Sequence, residues 1–132
     1  MRKILLLSIT LSGCAAIDAH NLSKFDANEY QLVNQINSVS QIAESECGNL
    51  PKTVQSVNYV YLRSIEFKNY ASMIPNNEYT TDLAQSLYDI TRALHDRYNT
   101  KEPVSESYCK IKFNIIRSSA TTIQQVLGNK SK

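Results

Sequence analysis

Thr81-Asp82-Leu83-Ala84-Gln85-Ser86-Leu87-Tyr88-Asp89-Ile90-Thr91-Arg92-Ala93-Leu94-His95-Asp96-Arg97-Tyr98 is the stretch that decides the fold. Its large apolar residues, Leu83, Leu87, Ile90, Leu94 and Tyr98, recur at steps of 4, 3, 4 and 4. That spacing lays them along one face of an α-helix, whereas a strand needs strict alternation. The opposite face carries Asp82, Gln85, Asp89, Arg92 and Asp96, the polar half of an amphipathic helix. Thr80 or Thr81 is expected to cap its start.

Working outward, the same period returns three more times. After Pro103, with Ser105 as expected N-cap, Cys109, Phe113, Ile116, Ala120, Ile123 and Leu127 step by 4, 3, 4, 3 and 4, and Gly128 ends the pattern. A second row, Tyr108, Ile111, Ile115, Thr122 and Val126, lies beside it. Upstream, Pro51 to Met73 is less tidy: Val54, Val57, Tyr61 and Ile65 form one stripe, and Val60, Phe67, Ala71 and Ile74 another. Val57–Leu62 is rich in β-branched residues, but the polar positions keep the helical period, so helix is expected there too. The first helix is expected to start at Asp26, with Glu29 completing a capping box, and to carry Leu32, Ile36, Val39, Ala43 and Cys47 on one face. Gly48 suits a left-handed C-cap. Breaks fall at Gly48–Pro51, Pro75–Asn77 and Asn99–Pro103. Four helices of roughly 20 residues with short connections predict an all-α, antiparallel four-helix bundle over residues 25–128, followed by a polar tail at 129–132.

The first fourteen residues follow a different logic. Met1-Arg2-Lys3 is basic, Ile4 to Leu11 is an apolar run, and Leu11-Ser12-Gly13-Cys14 closes it. This is the order of a secretory signal. The apolar run is too short to span a bilayer, since eight helical residues cover only about 12 Å of a hydrocarbon core of about 30 Å. Leu-Ser-Gly-Cys resembles the lipobox of bacterial lipoproteins. The resemblance implies that residues 1–13 are a signal peptide and that Cys14 is the lipid-attachment residue. It also implies a lipidated tether at 14–24. Three acyl chains at the new N-terminus would hold the protein on a membrane almost permanently, where one chain holds only marginally. In that family an Asp after the cysteine retains the protein at the inner membrane. Ala15 stands there, which implies the periplasmic face of an outer membrane.

Composition narrows the function classes. The chain has 14 basic and 12 acidic residues and a pI near 8.4, but Arg2 and Lys3 leave with the signal, so the remainder is balanced. Without a basic cluster interleaved with aromatics, nucleic-acid binding is not expected. Charge is unevenly placed: Asp18, Asp26, Glu29, Glu44 and Glu46 make the first part acidic, and Lys101, Lys110, Lys112, Arg117, Lys130 and Lys132 make the last part basic. That fits two complementary segments of one fold, or a bipolar surface that orients a charged partner. Of the three cysteines, Cys47 and Cys109 are not assigned to lipid. An even pair in an oxidising compartment points to a disulfide, with two buried thiols as the alternative. In an up-down-up-down bundle both fall at the same end, on neighbouring helices. A Cys47–Cys109 bond would close a loop of about 63 residues and contribute up to about 4 kcal/mol.

Enzyme signals are not found. Gly48 and Gly128 are the only glycines after the signal, too few for a phosphate-cradling loop. Glu44 and Glu46 are two apart and point to different helix faces. His20 falls in the tether, and His95 reads as a half-exposed structural residue. The two histidines and two cysteines match no zinc spacing. No catalytic residue, metal or cofactor is therefore expected. Tyr61, Tyr98 and Tyr108 are expected at the core edge with their hydroxyls in water, and Tyr59, Tyr70 and Tyr79 on the surface.

The lipobox, the opening Phe25-Asp26-Ala27-Asn28-Glu29-Tyr30, the helix end at Cys47 and the segment Ser107-Tyr108-Cys109-Lys110-Ile111-Lys112 together resemble small lipoproteins encoded by tailed bacteriophages, some of them similar to outer spanin subunits, the o-spanins. This chain departs from the short proline-rich o-spanins in having only Pro51, Pro75 and Pro103 and a folded domain. The resemblance implies a protein that binds an inner-membrane spanin subunit and helps to bridge or fuse the two membranes in host lysis. The alternative is a stand-alone lipoprotein that blocks a receptor or an envelope enzyme, as in superinfection exclusion.

The lipobox yields a direct test. Intact-mass analysis of the membrane fraction should find a chain beginning at Cys14 with acyl mass added, and Cys14→Ser should accumulate unlipidated. A soluble mature protein free of lipid would contradict the assignment.

Overall fold

The computed structural model of the chain describes residues 23–132; Cys14, the expected lipobox and most of the expected tether lie outside the described residues. Four helices follow one another: α1 (Ala27–Ser45), α2 (Leu50–Met73), α3 (Glu78–Tyr98) and α4 (Glu106–Gly128), with no strand among the described residues. α1 packs against α2 and α4, and α2 against α3; α3 and α4 touch least. Cross-helix partners run in opposite order, Asn37 with Gln124 and Glu44 with Arg117, which makes α1 and α4 antiparallel. The predicted four-helix bundle is the observed fold.

Its core is more regular than the apolar residues suggest. Buried positions are Glu29, Val33, Ile36, Ser40 and Ala43 on α1, and Thr53, Val57, Val60, Ser64, Phe67 and Ala71 on α2. On α3 they are Thr80, Ala84, Leu87, Thr91 and Leu94, and on α4 Cys109, Phe113, Ile116, Ala120, Ile123 and Leu127. Every helix thus alternates steps of 4 and 3, the heptad rule for knobs-into-holes packing. The α4 stripe is the expected one throughout. On α1, α2 and α3 the buried line differs from the expected stripes: Leu32, Val39, Val54, Tyr61, Ile65, Ile74, Leu83, Ile90 and Tyr98 are half-buried at its edge. The line passes instead through small polar residues; Ser40 Oγ and Thr80 Oγ1 are buried without a hydrogen-bond partner among the described residues, whereas the hydroxyls at the α2–α3 seam are paired. Ser64 Oγ and Thr91 Oγ1 lie 2.6 Å apart across α2 and α3, each also within hydrogen-bond distance of a carbonyl three residues back; with one proton apiece, one hydroxyl donates across the seam and the other to its own carbonyl.

The turns correct three local expectations. α3 begins at Glu78 with Asn77 as N-cap, one turn before Thr80 and Thr81; Thr81 Oγ1 donates to the Asn77 carbonyl from inside the helix. Gly48 does not adopt a left-handed conformation, and the one described residue that does is Asn76, with φ 57° in the Pro75–Asn77 turn. Asp26 caps α1 as expected, its carboxylate accepting from the backbone N–H of Asn28 and Glu29, but Glu29 turns into the bundle instead of reaching back to close a capping box. Ser105 caps α4 as expected.

Cys47 and Cys109 are joined, with Cα atoms 5.8 Å apart. The bond ties the end of α1 to the start of α4, so it restrains the long loop between them, a contribution of about 4 kcal/mol by the chain-entropy argument. A domain of this size has a total of only about 5–15 kcal/mol. Non-reducing peptide mapping should recover a Cys47–Cys109 peptide, and Cys47→Ser/Cys109→Ser should lower unfolding free energy by up to about 4 kcal/mol while the helical circular dichroism is kept. Free thiols in the native protein would contradict the pairing.

Candidate functional site

Two ends of the bundle carry the chemistry. At the end formed by the start of α1, the end of α2, the start of α3 and the end of α4, Lys130 reaches into the interior. Its Nζ donates to Ser23 Oγ at 2.8 Å, Glu29 Oε2 at 3.0 Å and Asn77 Oδ1 at 2.8 Å, which uses all three ammonium protons. Asn77 Nδ2 donates to the other Glu29 oxygen and to the Ala71 carbonyl, and Ser23 Oγ donates to Asn77 Oδ1 at 2.6 Å. The Lys130 and Glu29 side chains have no solvent exposure. A buried ion pair is tolerated only when its remaining hydrogen bonds are also met, and here they are. Beside it Tyr70 OH donates to Asp26 Oδ2 at 3.1 Å, and the Phe25 N–H donates to the Ser131 carbonyl at 2.8 Å. Both termini of the described chain are therefore fastened at one end, including Ser23 from the expected tether and Lys130 from the expected tail.

Spacing alone carried a signal for this cluster. Glu29 is four residues before Val33 and Lys130 three after Leu127, so each continues a core heptad. Their charge instead suggests a helix cap for Glu29 and a polar tail for Lys130. Asn77, three residues before Thr80, continues the α3 line in the same way, although Pro75–Asn77 first reads only as a break.

The opposite end holds the disulfide and an open cleft of about 460 Å³. Its walls include Leu50, Tyr98, Lys101, Pro103, Val104 and Glu106, with Cys47 beneath. Leu50 is 63% exposed. Arg97 shapes the α3–α4 connection by donating to the carbonyls of Glu102 at 3.1 Å and Pro103 at 2.8 Å. Burial, and then neighbouring Tyr108, push the Tyr98 phenol above its usual pKa. The neutral phenol's contribution is thus present below the ordinary tyrosine range and is lost as pH rises through the raised value.

The other sequence candidates sort into structural roles. His95 stacks on Tyr61 with ring centroids 4.1 Å apart, and its nitrogens meet Asn99. Glu44 pairs with Arg117 at 3.8 Å and Glu46 with Lys52 at 3.3 Å, so the two carboxylates serve different neighbours. Tyr61 and Tyr108 are half-buried, as expected of core-edge residues. Tyr79 is exposed, whereas Tyr59 packs against the core and Tyr70 is held by Asp26 and Asn28. Among the described residues no cluster of three or more His, Cys, Asp or Glu is placed to hold a metal, and no helix is long and apolar enough to cross a membrane. No protein-family model, curated protein or solved structure matches the chain.

Lys130→Met strands the Glu29 carboxylate and should cost about 3–5 kcal/mol in chemical denaturation. Adding Glu29→Met removes the stranded charge and should recover much of that loss. A Lys130→Met protein as stable as the parent would show that the pair is not closed in solution.

Proposed function

We propose that this chain is a lipid-anchored periplasmic protein on the outer membrane that acts by binding another protein, as the outer spanin subunit of phage-induced host lysis. The observation that carries the reading is the Leu11–Cys14 lipobox ahead of an independent bundle. The fold supports it in one further respect. Ser23, the first described residue, is fastened at one end of the bundle, and the cleft bearing Leu50 opens at the other. A lipid at Cys14 would therefore leave the cleft end directed away from the membrane, toward a partner rooted in the inner membrane. Helices of 19 to 24 residues give the bundle a length of roughly 30–35 Å. The role needs an anchor and a binding face, and no catalytic group enters it.

Deleting the gene from its phage should leave cells spherical and unlysed after the wall is degraded. The wild-type gene should restore lysis, and Cys14→Ser should not, because one end of the bridge loses its membrane. Normal lysis in the deletion, with expressing cells newly resistant to infection by a second phage, would replace this reading with the exclusion role.

A further inference from the structure

The contact between α3 and α4 is the least developed in the bundle. Between them runs an open groove of about 160 Å³ lined by Leu83, Ser86 and Leu87 on α3 and Ser119, Thr122 and Ile123 on α4. The outward face of α4 beside it has no charge: Ile111, Asn114, Ile115, Ser118, Thr122 and Gln125. Ile111 is 59% exposed and Ile115 40%. Across the groove, Ala93 is exposed and Ile90 half-buried. An uncharged strip carrying two exposed isoleucines beside a groove is a surface that a docked partner can cover.

The rims say which partner. Asp82, Asp89 and Asp96 recur every seventh residue along the exposed crest of α3. Asp96 meets Arg92 at 3.6 Å, but Asp82 and Asp89 form no salt bridge among the described residues. Lys112, on the groove side of α4, forms none either; its Nζ rests 5.3 Å from the Tyr108 ring centroid. One face thus presents an acidic helix beside an uncharged helix with a free lysine at its edge. Such a face is complementary to itself.

We propose that this face pairs two copies of the chain about a two-fold axis parallel to the bundle. A symmetric contact apposes one patch to itself, and two orientations are open. An axis perpendicular to the helices lays α3 on α3 and sets the aspartate rows against each other. An axis along the helices lays α3 of each copy on the uncharged face of α4 of the other, whose edge carries Lys112; like charges in apposition are costly, which disfavours the first arrangement. The register supports the second arrangement. Leu83, Ser86 and Leu87 line the same groove as Ser119, Thr122 and Ile123, so the antiparallel helices run at about equal height where positions 83–87 and 119–123 face each other. At a common rise of about 1.5 Å per residue, Ile90 is then level with Ile115, and Ala93 with Lys112. A parallel pair keeps these levels. Ile115 meets Ile90 of the second copy, and Lys112 comes between its Asp89 and Asp96. Both copies also leave Ser23 at the same end, which, on the lipoprotein reading alone, lets both anchors enter one membrane.

The test is sedimentation of the full chain purified in density-matched detergent, over a range of protein concentration, with helical circular dichroism as the folding control. The parent should be a dimer that weakens with salt. Ile115→Asp, a surface change, should raise the dissociation constant about tenfold or more, as loss of a central apolar contact does. Asp89→Lys and Lys112→Glu should each weaken the dimer, and combining them should restore it. A monomer at all concentrations, a dimer indifferent to Ile115→Asp, or a charge-swapped double no tighter than either single would overturn the proposal. Assembly is read on the polypeptide whether or not Cys14 carries lipid, so failure here is distinct from failure of the lipoprotein reading.

Discussion

A lysine and a glutamate with no access to solvent fix one end of this bundle, and much of the architecture follows from satisfying them. A charge pair in a low-dielectric interior is stable only when desolvation is offset by close geometry and by partners for every remaining donor and acceptor. Lys130 has three acceptors; Glu29 receives Lys130 on one oxygen and Asn77 on the other. Meeting that demand draws in residues from the segment before α1, from α1, from the α2–α3 turn and from beyond α4. Asn77 serves the cluster with its side chain, so it cannot also cap α3 with it, and α3 has no side-chain cap hydrogen bond. The left-handed conformation of Asn76 belongs to the same turn.

The far end is closed by different means. There a covalent bond joins α1 to α4, and Arg97 pins the α3–α4 connection through its carbonyls. Between the two ends the helices meet through a heptad core that includes several small hydroxyl residues. Such residues bury little apolar area, so fastening at both ends complements a core of modest hydrophobic content. The least fastened pair is α3 and α4, linked by sequence at one end and by shared contacts with Lys130 at the other, which accounts for the groove along their seam.

The sequence was legible where size and hydropathy agreed. On α4 every core position is apolar, and the spacing of those residues alone marks the buried stripe. On α3 the period showed that a helix exists, but Thr80, Ala84 and Thr91 hid which line is innermost, and larger neighbours at the edge drew the stripe toward them. On α1 the same happened at Val33 and Ser40. A buried Thr or Ser looks like a surface residue to any hydropathy count, whether its hydroxyl meets a carbonyl of its own helix, as in Thr91, or has no partner among the described residues, as in Ser40 and Thr80. The ion pair was the hardest to see, because a charged residue is rarely buried without a partner and the partners lie 101 residues apart. The heptad continued through both positions and is the signal that carries this information. The disulfide was legible because bundle topology places both cysteines at one end.

Fastening of the chain at one end, with the cleft at the other, gives the functional reading its geometry: a membrane anchor on one side of the bundle and a binding surface on the other. The most direct measurement is depth-resolved fluorescence quenching of the full chain, purified from the membrane fraction and placed in vesicles. Probes would be attached through an orthogonal residue at position 76, near the fastened end, or at position 102, beside the cleft, leaving the native cysteines intact. Quenchers at the lipid headgroup should dim the probe at 76 and leave that at 102 bright, the two being separated by most of the length of the bundle. Equal quenching at both positions, or a chain that does not stay with the vesicles, would contradict the account.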